Sequence, residues 1–276
     1  MIVATTVAEL RDARGADRVT ALVPTMGALH AGHRRLIDVA HGTADQTAVS
    51  IFVNPLQFAA GEDLDRYPRT MDADLEVCAS AGVAVVFAPG GDTMYPSGEP
   101  IVTVDPGPLG SELEGAVRPG HFRGVLTVVA KLFALVRPAS AVFGEKDYQQ
   151  LALIRQMAAD LSTGVEVVSV ETVRDSDGLA LSSRNRYLAP NERATALALN
   201  GALRAGRQAG AEGAAAVLSA AKSVLASESE LSVDYLELRA ADLSPAPAAG
   251  GARLLVAARV GGTRLIDNLS VEIGEP

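Results

Sequence analysis

The sequence predicts an α/β fold, in which a doubly wound parallel sheet is followed by a smaller α+β domain. Up to about residue 170, short apolar runs rich in β-branched residues alternate with segments of helical periodicity. The runs are apolar throughout, which is typical of parallel strands covered on both faces. Beyond residue 172, a turn-rich segment precedes two helical patterns and three strand-like runs. We therefore expect a large domain over 1–172 and a small C-terminal domain over 173–276.

Within the large domain, the alternation assigns each element. Strands are predicted at 19–23, 47–53, 83–88, 141–143 and 165–170. Helices are predicted between them, at 33–42, 69–81, 122–136 and 149–161. In such a sheet, ligands bind beyond the carboxyl ends of the strands, where the strand order reverses.

The small domain is predicted to begin with two helices, at about 190–207 and 213–227. Pro190 suits the first turn of the first helix, because its missing N–H has no partner there in any case. Three strands follow at 232–239, 253–260 and 263–268. Gly261-Gly262 between the last two strands predicts a hairpin, and residues 244–251 read as a loop.

Composition excludes several classes of protein. The chain has 276 residues, is 48% hydrophobic and carries a formal net charge of −9, which argues against a nucleic-acid-binding surface. The single cysteine, Cys78, rules out an internal disulfide and fits a reducing cytoplasm. No apolar run approaches the roughly 18 residues of a membrane span, and the N-terminus has no signal-peptide pattern. We expect a cytoplasmic protein with neither nucleic acid nor membrane as a partner.

The first chemical segment joins the first strand to the first helix. It reads Pro24-Thr25-Met26-Gly27-Ala28-Leu29-His30-Ala31-Gly32-His33. Gly27 and Gly32 allow close approach of a ligand, and three-residue spacing puts His30 and His33 on one face of a helical turn. A helix start with free N–H groups attracts phosphate. Two surface histidines or a metal site would give the same spacing, so this segment alone leaves the function open.

Two further segments carry polar groups near strand or helix ends. Asn54 and Gln57 follow the second strand, although Asn-Pro is also a common turn sequence. Arg118, His121 and Arg123 lie in a polar, glycine-rich stretch just before a long apolar helix, which is typical of a binding loop or lid.

The last two segments add groups suited to phosphate. Gly144-Glu145-Lys146-Asp147 follows the fourth strand, with Gln150 in the next helix; Lys146 can bind phosphate, while Asp147 can simply cap the helix. Leu181-Ser182-Ser183-Arg184 supplies hydroxyls and a guanidinium, or else a capped turn. Together the segments predict a nucleoside triphosphate site without a G-x-x-x-x-G-K-[ST] loop, and the missing G-x-G-x-x-G argues against NAD.

These segments resemble a known family. Residues 24–33 resemble the HIGH signature of the Rossmann-like class I nucleotidyltransferases, and 181–184 resemble their KMSKS-type loop. Five strings between residues 24 and 188, PTMGALHxGH, FVNPLQF, RPGHFxGVxTVVxKLF, FGEKDYQQL and RDxDGLAxSSRNxYL, resemble the pantoate–β-alanine ligases in order. Ala31 replaces a usual glutamate and Leu181 a usual methionine.

The resemblance implies two half-reactions on small-molecule substrates. The carboxylate of pantoate attacks the α-phosphorus of ATP, and the amine of β-alanine then attacks the acyl adenylate to release AMP and pantothenate. Residues 1–172 would be the catalytic domain and 173–276 a lid. The resemblance also implies a homodimer and Mg²⁺ bridging phosphate oxygens, with protein ligands of the ion left open.

The resemblance assigns residue roles as well. The catalytic group would be His30, His33, Lys146, Ser182 and Arg184, with His33 as proton donor. ATP would also contact residues of three further groups. These are Pro24 with Met26–Gly32, then Gly144, Glu145 and Asp147, and finally the backbone of Val173 with Leu181 and Ser183. Pantoate and β-alanine would contact Gln57, Gln150, Asn54, Arg118 and His121.

Two alternatives belong beside this interpretation. Another enzyme of the superfamily could transfer a nucleotidyl group to a phosphate or to a tRNA-linked amino acid, although the short C-terminal region and acidic charge disfavour tRNA. A nucleotide-binding regulator without catalysis is the second, disfavoured because His30, His33, Lys146, Ser182 and Arg184 are all present.

Overall fold

The computed structural model describes residues 1–16, 18–59, 61–62 and 64–274. The chain divides into two compact units, of which the first comprises Met1–Gly144 with Gln149–Val170. The second comprises Glu145–Tyr148 with Glu171–Pro276. The boundary predicted at 172 lies two residues from this division, and a four-residue segment after the fifth strand joins the second unit.

A six-stranded parallel sheet forms the centre of the first unit, which confirms the predicted α/β class. Its strands are β1 (Ile2–Ala4), β2 (Thr20–Thr25), β3 (Gln46–Ile51), β4 (Val85–Phe87), β5 (Ser140–Gly144) and β6 (Glu166–Val170). The strand order is β1-β4-β3-β2-β5-β6. The chain leaves β2 on one side towards β3 and later returns on its other side as β5. The order therefore reverses at β2, whose carboxyl end leads into the segment at 26–33.

Helices alternate with these strands as predicted. They are α1 (Val7–Arg14), α2 (Ala31–Ala40), α3 (Met71–Ser80), α4 (Gly91–Met94), α5 (Glu114–Val117), α6 (His121–Val136) and α7 (Tyr148–Asp160). The four predicted helices appear with ends within two residues of the expected ones. The sequence did not predict β1 and α1, because β1 has only three residues and takes its strand conformation by pairing with β4. α1 begins at a capping box, in which Thr6 and Glu9 exchange side-chain and backbone hydrogen bonds.

Buried aliphatic side chains from strands and helices fill the core of the first unit. Every residue of β3 is buried, as expected for a strand covered on both faces. The core includes Val23, Ile37, Val49, Val86 and Val142, none of which is exposed.

The second unit is an α+β structure, as predicted. It contains α8 (Pro190–Gln208) and α9 (Ala214–Ala226), together with an antiparallel sheet of β7 (Leu231–Ala240), β8 (Gly250–Val260) and β9 (Thr263–Ile273) in that order. Pro190 is the first residue of α8, and Gly261-Gly262 joins β8 to β9 as a hairpin. β8 begins within the predicted loop, and β9 runs five residues past its predicted end because pairing with β8 continues to Ile273.

The start of α6 lies against the turn after β3 without space for a side chain. A Cβ atom on Gly124 would overlap the carbonyl of Leu56 and lie 2.6 Å from the nitrogen of Gln57. We expect Gly124→Ala to lower the free energy of unfolding by about 2 kcal/mol, because neither backbone can yield without strain. Urea unfolding measures this.

Gly201→Ala is the matched control, since a Cβ there would meet only Val224 at an ordinary 3.5 Å. It should be neutral or stabilise by about 0.5–1 kcal/mol. Equal stability of the two variants would contradict the close packing at Gly124.

Candidate active site

The turn that follows β2 holds an uncommon backbone conformation. Gly27 has a φ of 83° and Ala28 a φ of 51°, so two successive residues lie in the left-handed region. For alanine this costs roughly 1 kcal/mol. The carboxylate of Asp74, in the first turn of α3, accepts the N–H groups of Ala28 at 3.0 Å and of Leu29 at 2.7 Å. A Cβ at position 27 would lie 2.9 Å from the same carboxylate, which explains the glycine.

The two histidines of this turn cap the helix α2. His30 is the N-cap residue, and its Nδ1 accepts the N–H of Gly32 at 3.1 Å. The Nδ1 of His33 accepts the N–H of His30 at 3.3 Å. The ring centroids lie 4.1 Å apart. The prediction that both rings share one helical turn was wrong in detail, because His30 precedes the helix and its backbone is extended.

Four backbone donors in the turn and the first turn of α2 already have acceptors. The N–H groups of residues 28, 29, 30 and 32 all donate to side chains of the first unit. The expectation of a helix start with free N–H groups is therefore wrong at Gly32, while residues 28, 29 and 30 precede the helix. A neutral imidazole that accepts at Nδ1 carries its proton on Nε2. Both rings therefore carry a hydrogen-bond donor at Nε2.

Beyond β3, Asn54 orients Gln57. Asn54 is 1% exposed, and its amide group donates to the Oε1 of Gln57 and to the carbonyl of Gly124, both at 3.1 Å. Its Oδ1 accepts the hydroxyl of Tyr95 at 2.8 Å. Burial raises the pKa of Tyr95 to about 12, so this hydroxyl keeps its proton. The side-chain nitrogen Nε2 of Gln57 donates to the sulfur of Met26 at 3.2 Å, next to the histidine turn.

Arg118 and His121 also contact Gln57, through its backbone. Arg118 donates to both carboxylate oxygens of Glu62, at 2.9 and 2.6 Å, and to the carbonyl of Gln57 at 3.3 Å. The Nδ1 of His121 lies 2.8 Å from the same carbonyl, and its Nε2 lies 3.1 Å from the Arg118 guanidinium. These distances make His121 a donor at Nδ1 and an acceptor at Nε2. The structure thus brings together Asn54, Gln57, Arg118 and His121.

This arrangement requires a neutral imidazole. Burial, followed by the charge of Arg118, lowers the pKa of His121 from 6.5 to about 4. Burial raises the pKa of Glu62, but the hydrogen bonds and charge of Arg118 outweigh it, so that the pKa lies below the ordinary 4.5. Arg118 and Glu62 are therefore an ion pair at neutral pH, and His121 is uncharged beside them.

The first turn of α7 carries two glutamines with different roles. Gln149 is buried; its amide donates to the carbonyls of Leu109 and Glu112, and its oxygen accepts the N–H of Glu114. It therefore holds the loop before α5. Gln150, the residue predicted to bind substrate, is half-buried at the next position.

In the second unit, the C-terminal sheet supports the segment that carries Lys146. Glu145–Asp147 forms a 3-10 turn, and the side-chain amide of Asn268 on β9 donates to the carbonyls of Glu145 at 2.8 Å and Lys146 at 2.9 Å. Arg253 on β8 pairs with Glu145 at 3.2 Å. It also stacks 3.9 Å from the ring of Tyr148. The Lys146 ammonium lies 3.8 Å from the exposed carboxylate of Asp147.

The second predicted phosphate segment is a capped turn in the same unit. Ser182 caps the 3-10 turn Ser183–Tyr187, because its hydroxyl accepts the N–H of Arg184 at 3.3 Å. The N–H of Leu181 donates to the carbonyl of Val173 at 2.9 Å. Capped-turn geometry, the alternative left open by the sequence, is thus present, and Ser182, Ser183 and Arg184 are all half-buried.

Asp74 and Asn268 are among the supporting residues that sequence reasoning missed. Asp74 lies in an amphipathic helix 45 residues from its partner Leu29, and no local pattern distinguishes it from a surface carboxylate. Asn268 ends a strand-like run, and its partner Lys146 is 122 positions away. Cys78 is buried, and burial raises the pKa of its thiol to about 11.

Two features are absent from the part of the chain that the structure describes. No helix among them is long and apolar enough to cross a membrane. No group of three or more His, Cys, Asp or Glu side chains among the described residues could hold a metal ion.

The pKa of His121 predicts an acid sensitivity. Between about pH 6.5 and about pH 4 the unfolded chain binds a proton at this site that the folded chain does not, so stability falls as pH falls. We expect a loss of about 2 kcal/mol between about pH 7 and about pH 5 from this group. Urea unfolding of the protein and of His121→Gln at both pH values measures it.

The variant should be less stable at neutral pH but should lose about 2 kcal/mol less on acidification. Glu62 does not obscure the result, because its lowered pKa makes it titrate below 4.5. Parallel pH dependence in the two proteins would contradict a neutral, half-buried His121.

Several known proteins are similar to this chain in sequence. A protein "Pantothenate synthetase" from Nocardia farcinica is 63% identical over 263 residues, covering 95% of this chain and 82% of that protein. The protein of the same name from Salinispora arenicola is 60% identical over 270 residues, with 96% of each chain covered.

Solved structures agree as well. Pantothenate synthetase from Thermus thermophilus has a TM-score of 0.92 and 49% identity over 98% of this chain and 99% of that one. Pantoate-beta-alanine ligase from Francisella tularensis, crystallised in complex with beta-gamma ATP and β-alanine, has a TM-score of 0.81 and 34% identity over 98% and 97% of the two chains. The model of the family "Pantoate-beta-alanine ligase" matches residues 2–270. The chain therefore belongs to the pantoate–β-alanine ligase family.

Proposed function

We propose that the chain condenses (R)-pantoate with β-alanine at the expense of ATP, through a pantoyl adenylate. The observation that carries the proposal is the family match over residues 2–270, which includes every segment singled out above. The relative from Francisella tularensis, which binds ATP and β-alanine in its crystal, supports these two as substrates here.

The first half-reaction joins a carboxylate to a phosphorus atom. An oxygen of the pantoate carboxylate attacks the α-phosphorus of ATP, the bond to the bridging oxygen breaks, and pyrophosphate leaves. This step needs alignment and charge stabilisation more than covalent help from the protein. His30 and His33 donate hydrogen bonds from Nε2 to phosphate oxygens, and the hydrogen bond from His33 stabilises the negative charge of the leaving pyrophosphate. Lys146, Ser182 and Arg184 neutralise the negative charge that develops.

The second half-reaction forms the amide bond. The amine of β-alanine attacks the acyl carbonyl of the adenylate, loses a proton and displaces AMP. The carbonyl is reactive because its oxygen substituent has become a good leaving group. Gln57 and Gln150 hold the hydroxyl and carboxylate groups of pantoate, and Gln57 also contacts β-alanine.

Three of the predicted substrate contacts have a second role in this proposal. The carbonyl of Gln57 binds Arg118 and His121, and the side-chain oxygen of Gln57 binds Asn54. Asn54 thus orients the side chain of Gln57, while Arg118 and His121 hold its backbone. A substrate-binding side chain that is already held in place favours a reaction that depends on aligning its reactants.

ATP contacts complete the proposal. The segment Met26–Gly32 and Pro24 lie beside the triphosphate, while Gly144, Glu145 and Asp147, with Val173, Leu181 and Ser183, hold the adenosine and phosphates. Mg²⁺, when bound, would neutralise phosphate charge, and this proposal assigns it no side chain of the chain. A homodimer, a cytoplasmic location and the lid role of residues 173–276 remain predictions.

Pyrophosphate exchange into ATP tests the reaction order. We expect exchange that depends on pantoate but not on β-alanine, because only the first half-reaction releases pyrophosphate. Radiolabelled pyrophosphate with each acid in turn measures it. Exchange driven by an amino acid or by a phosphate monoester instead would overturn the proposal.

Substitutions test the residue roles. We expect His33→Ala and Lys146→Ala to lower the exchange rate by roughly 10²–10³-fold, the usual scale for one electrostatic contact. His33→Asn separates chemistry from folding, because its side-chain oxygen can replace Nδ1 as the acceptor of the His30 N–H but it has no donor at the Nε2 position. It should keep the melting temperature and still lose exchange.

Lys222→Ala is the control for Lys146→Ala, since Lys222 is exposed on α9. It should exchange at the rate of the unaltered protein. Near-normal exchange in both His33→Asn and Lys146→Ala would remove these side chains from the mechanism.

A further inference from the structure

We propose that Asp74 is a positioning residue for adenylation, acting through the backbone of the turn that carries His30 and His33. The inference rests on the proposed function only for the role of these imidazoles. The contacts of Asp74 themselves belong to the first unit and are independent of any substrate.

The carboxylate of Asp74 is fully engaged with this turn and with its own helix. It is 2% exposed. Its Oδ2 accepts the N–H of Ala28 at 3.0 Å and the hydroxyl of Thr70 at 3.2 Å, and its Oδ1 accepts the N–H of Leu29 at 2.7 Å. A buried carboxylate with donors on both oxygens is a stable anion site.

Successive N–H groups that converge on one anion form a nest, an arrangement that other proteins use to bind phosphate. Here the anion is a side chain of the protein. The N–H groups of Ala28 and Leu29 therefore point towards Asp74, and the left-handed backbone at Gly27 and Ala28 is what aims them there.

The direction of the chain at Leu29 sets the position of the next residue, His30. Two cap bonds then determine the ring positions and leave the proton of each ring on Nε2. The N–H of Gly32 donates to Nδ1 of His30, and the N–H of His30 donates to Nδ1 of His33. Loss of the Asp74 contacts would free the turn upstream of both rings. Because displacement of about 1 Å can cost about 10²-fold in rate, a residue that touches no substrate can still control the reaction.

Asp74→Asn tests this role. The amide replaces one accepting oxygen by a donor, so that one of the two backbone N–H groups loses its acceptor. We expect pantoate-dependent pyrophosphate exchange to fall by about 10²-fold. Asp72→Asn is the matched control, because it removes a charge from the same helical turn at an exposed position. It should stay within about twofold of the unaltered protein.

A double-mutant cycle with His33→Asn separates positioning from general stability. If Asp74 acts through the histidine turn, Asp74→Asn should cost less than about threefold once His33 is already replaced. The same factor in both backgrounds would overturn the proposal.

A spectroscopic readout does not depend on activity. The chain has four histidines, His30, His33, His41 and His121, whose ring nitrogens can be followed by ¹⁵N NMR. In Asp74→Asn the ¹⁵N chemical shifts of His30 and His33 should move away from the values of the Nε2–H tautomer. The shifts of His41 and His121 should stay unchanged. Unchanged signals for all four would refute the positioning role.

The two readouts distinguish the two proposals. No pantoate-dependent exchange in the unaltered protein, together with a tautomer change in Asp74→Asn, would refute the proposed function but show that Asp74 positions the two histidine rings. If Asp74→Asn does not fold, Gly27→Ala replaces it, because the added Cβ meets the same carboxylate at 2.9 Å. The same loss of exchange and the same change at His30 and His33 are then expected.

Discussion

A buried carboxylate that accepts two successive backbone N–H groups determines the shape of the turn after β2. This contact holds an alanine in the left-handed region and leaves room only for glycine before it. The turn starts at the position where strand order reverses in the sheet, which is where ligands bind in folds of this kind. The histidine pair, the cap of α2 and the donor at each Nε2 all follow from the direction that the chain takes there.

Polar side chains from other elements also hold two further candidate site segments, at Gln57 and at Glu145–Asp147. Gln57 is held by Asn54 through its side chain and by Arg118 and His121 through its carbonyl. In the second unit, Asn268 holds the carbonyls of Glu145 and Lys146, in the turn that ends at Asp147. Residues expected to contact substrate are thus oriented by buried polar groups from other elements. A reaction that depends on alignment and electrostatics needs this rigidity more than it needs extra reactive groups.

The polar network around Gln57 shows where sequence reasoning reached its limit. Arg118 and His121 stand in a loop of binding-site character, and that pattern predicted substrate contact. In the folded chain, Arg118 forms an ion pair with Glu62, and burial lowers the pKa of His121 to about 4. Both depend on the surroundings of the side chain, because a pKa is shifted by burial and by neighbouring charges rather than by adjacent residues in sequence.

The sequence by itself determined the family, the α/β class, the four helices and five strands of the first unit that carry clear periodicity, and the segments that hold the candidate site. These are local properties, set by hydrophobic period, by glycine and proline positions and by short motifs. Only the tertiary structure decided that Asp74 meets Ala28 and Leu29, that Asn268 meets Lys146, and that the short strand β1 pairs with β4. Each of these contacts joins residues separated by many positions, so their energy appears only when the chain is packed, and no local pattern records it.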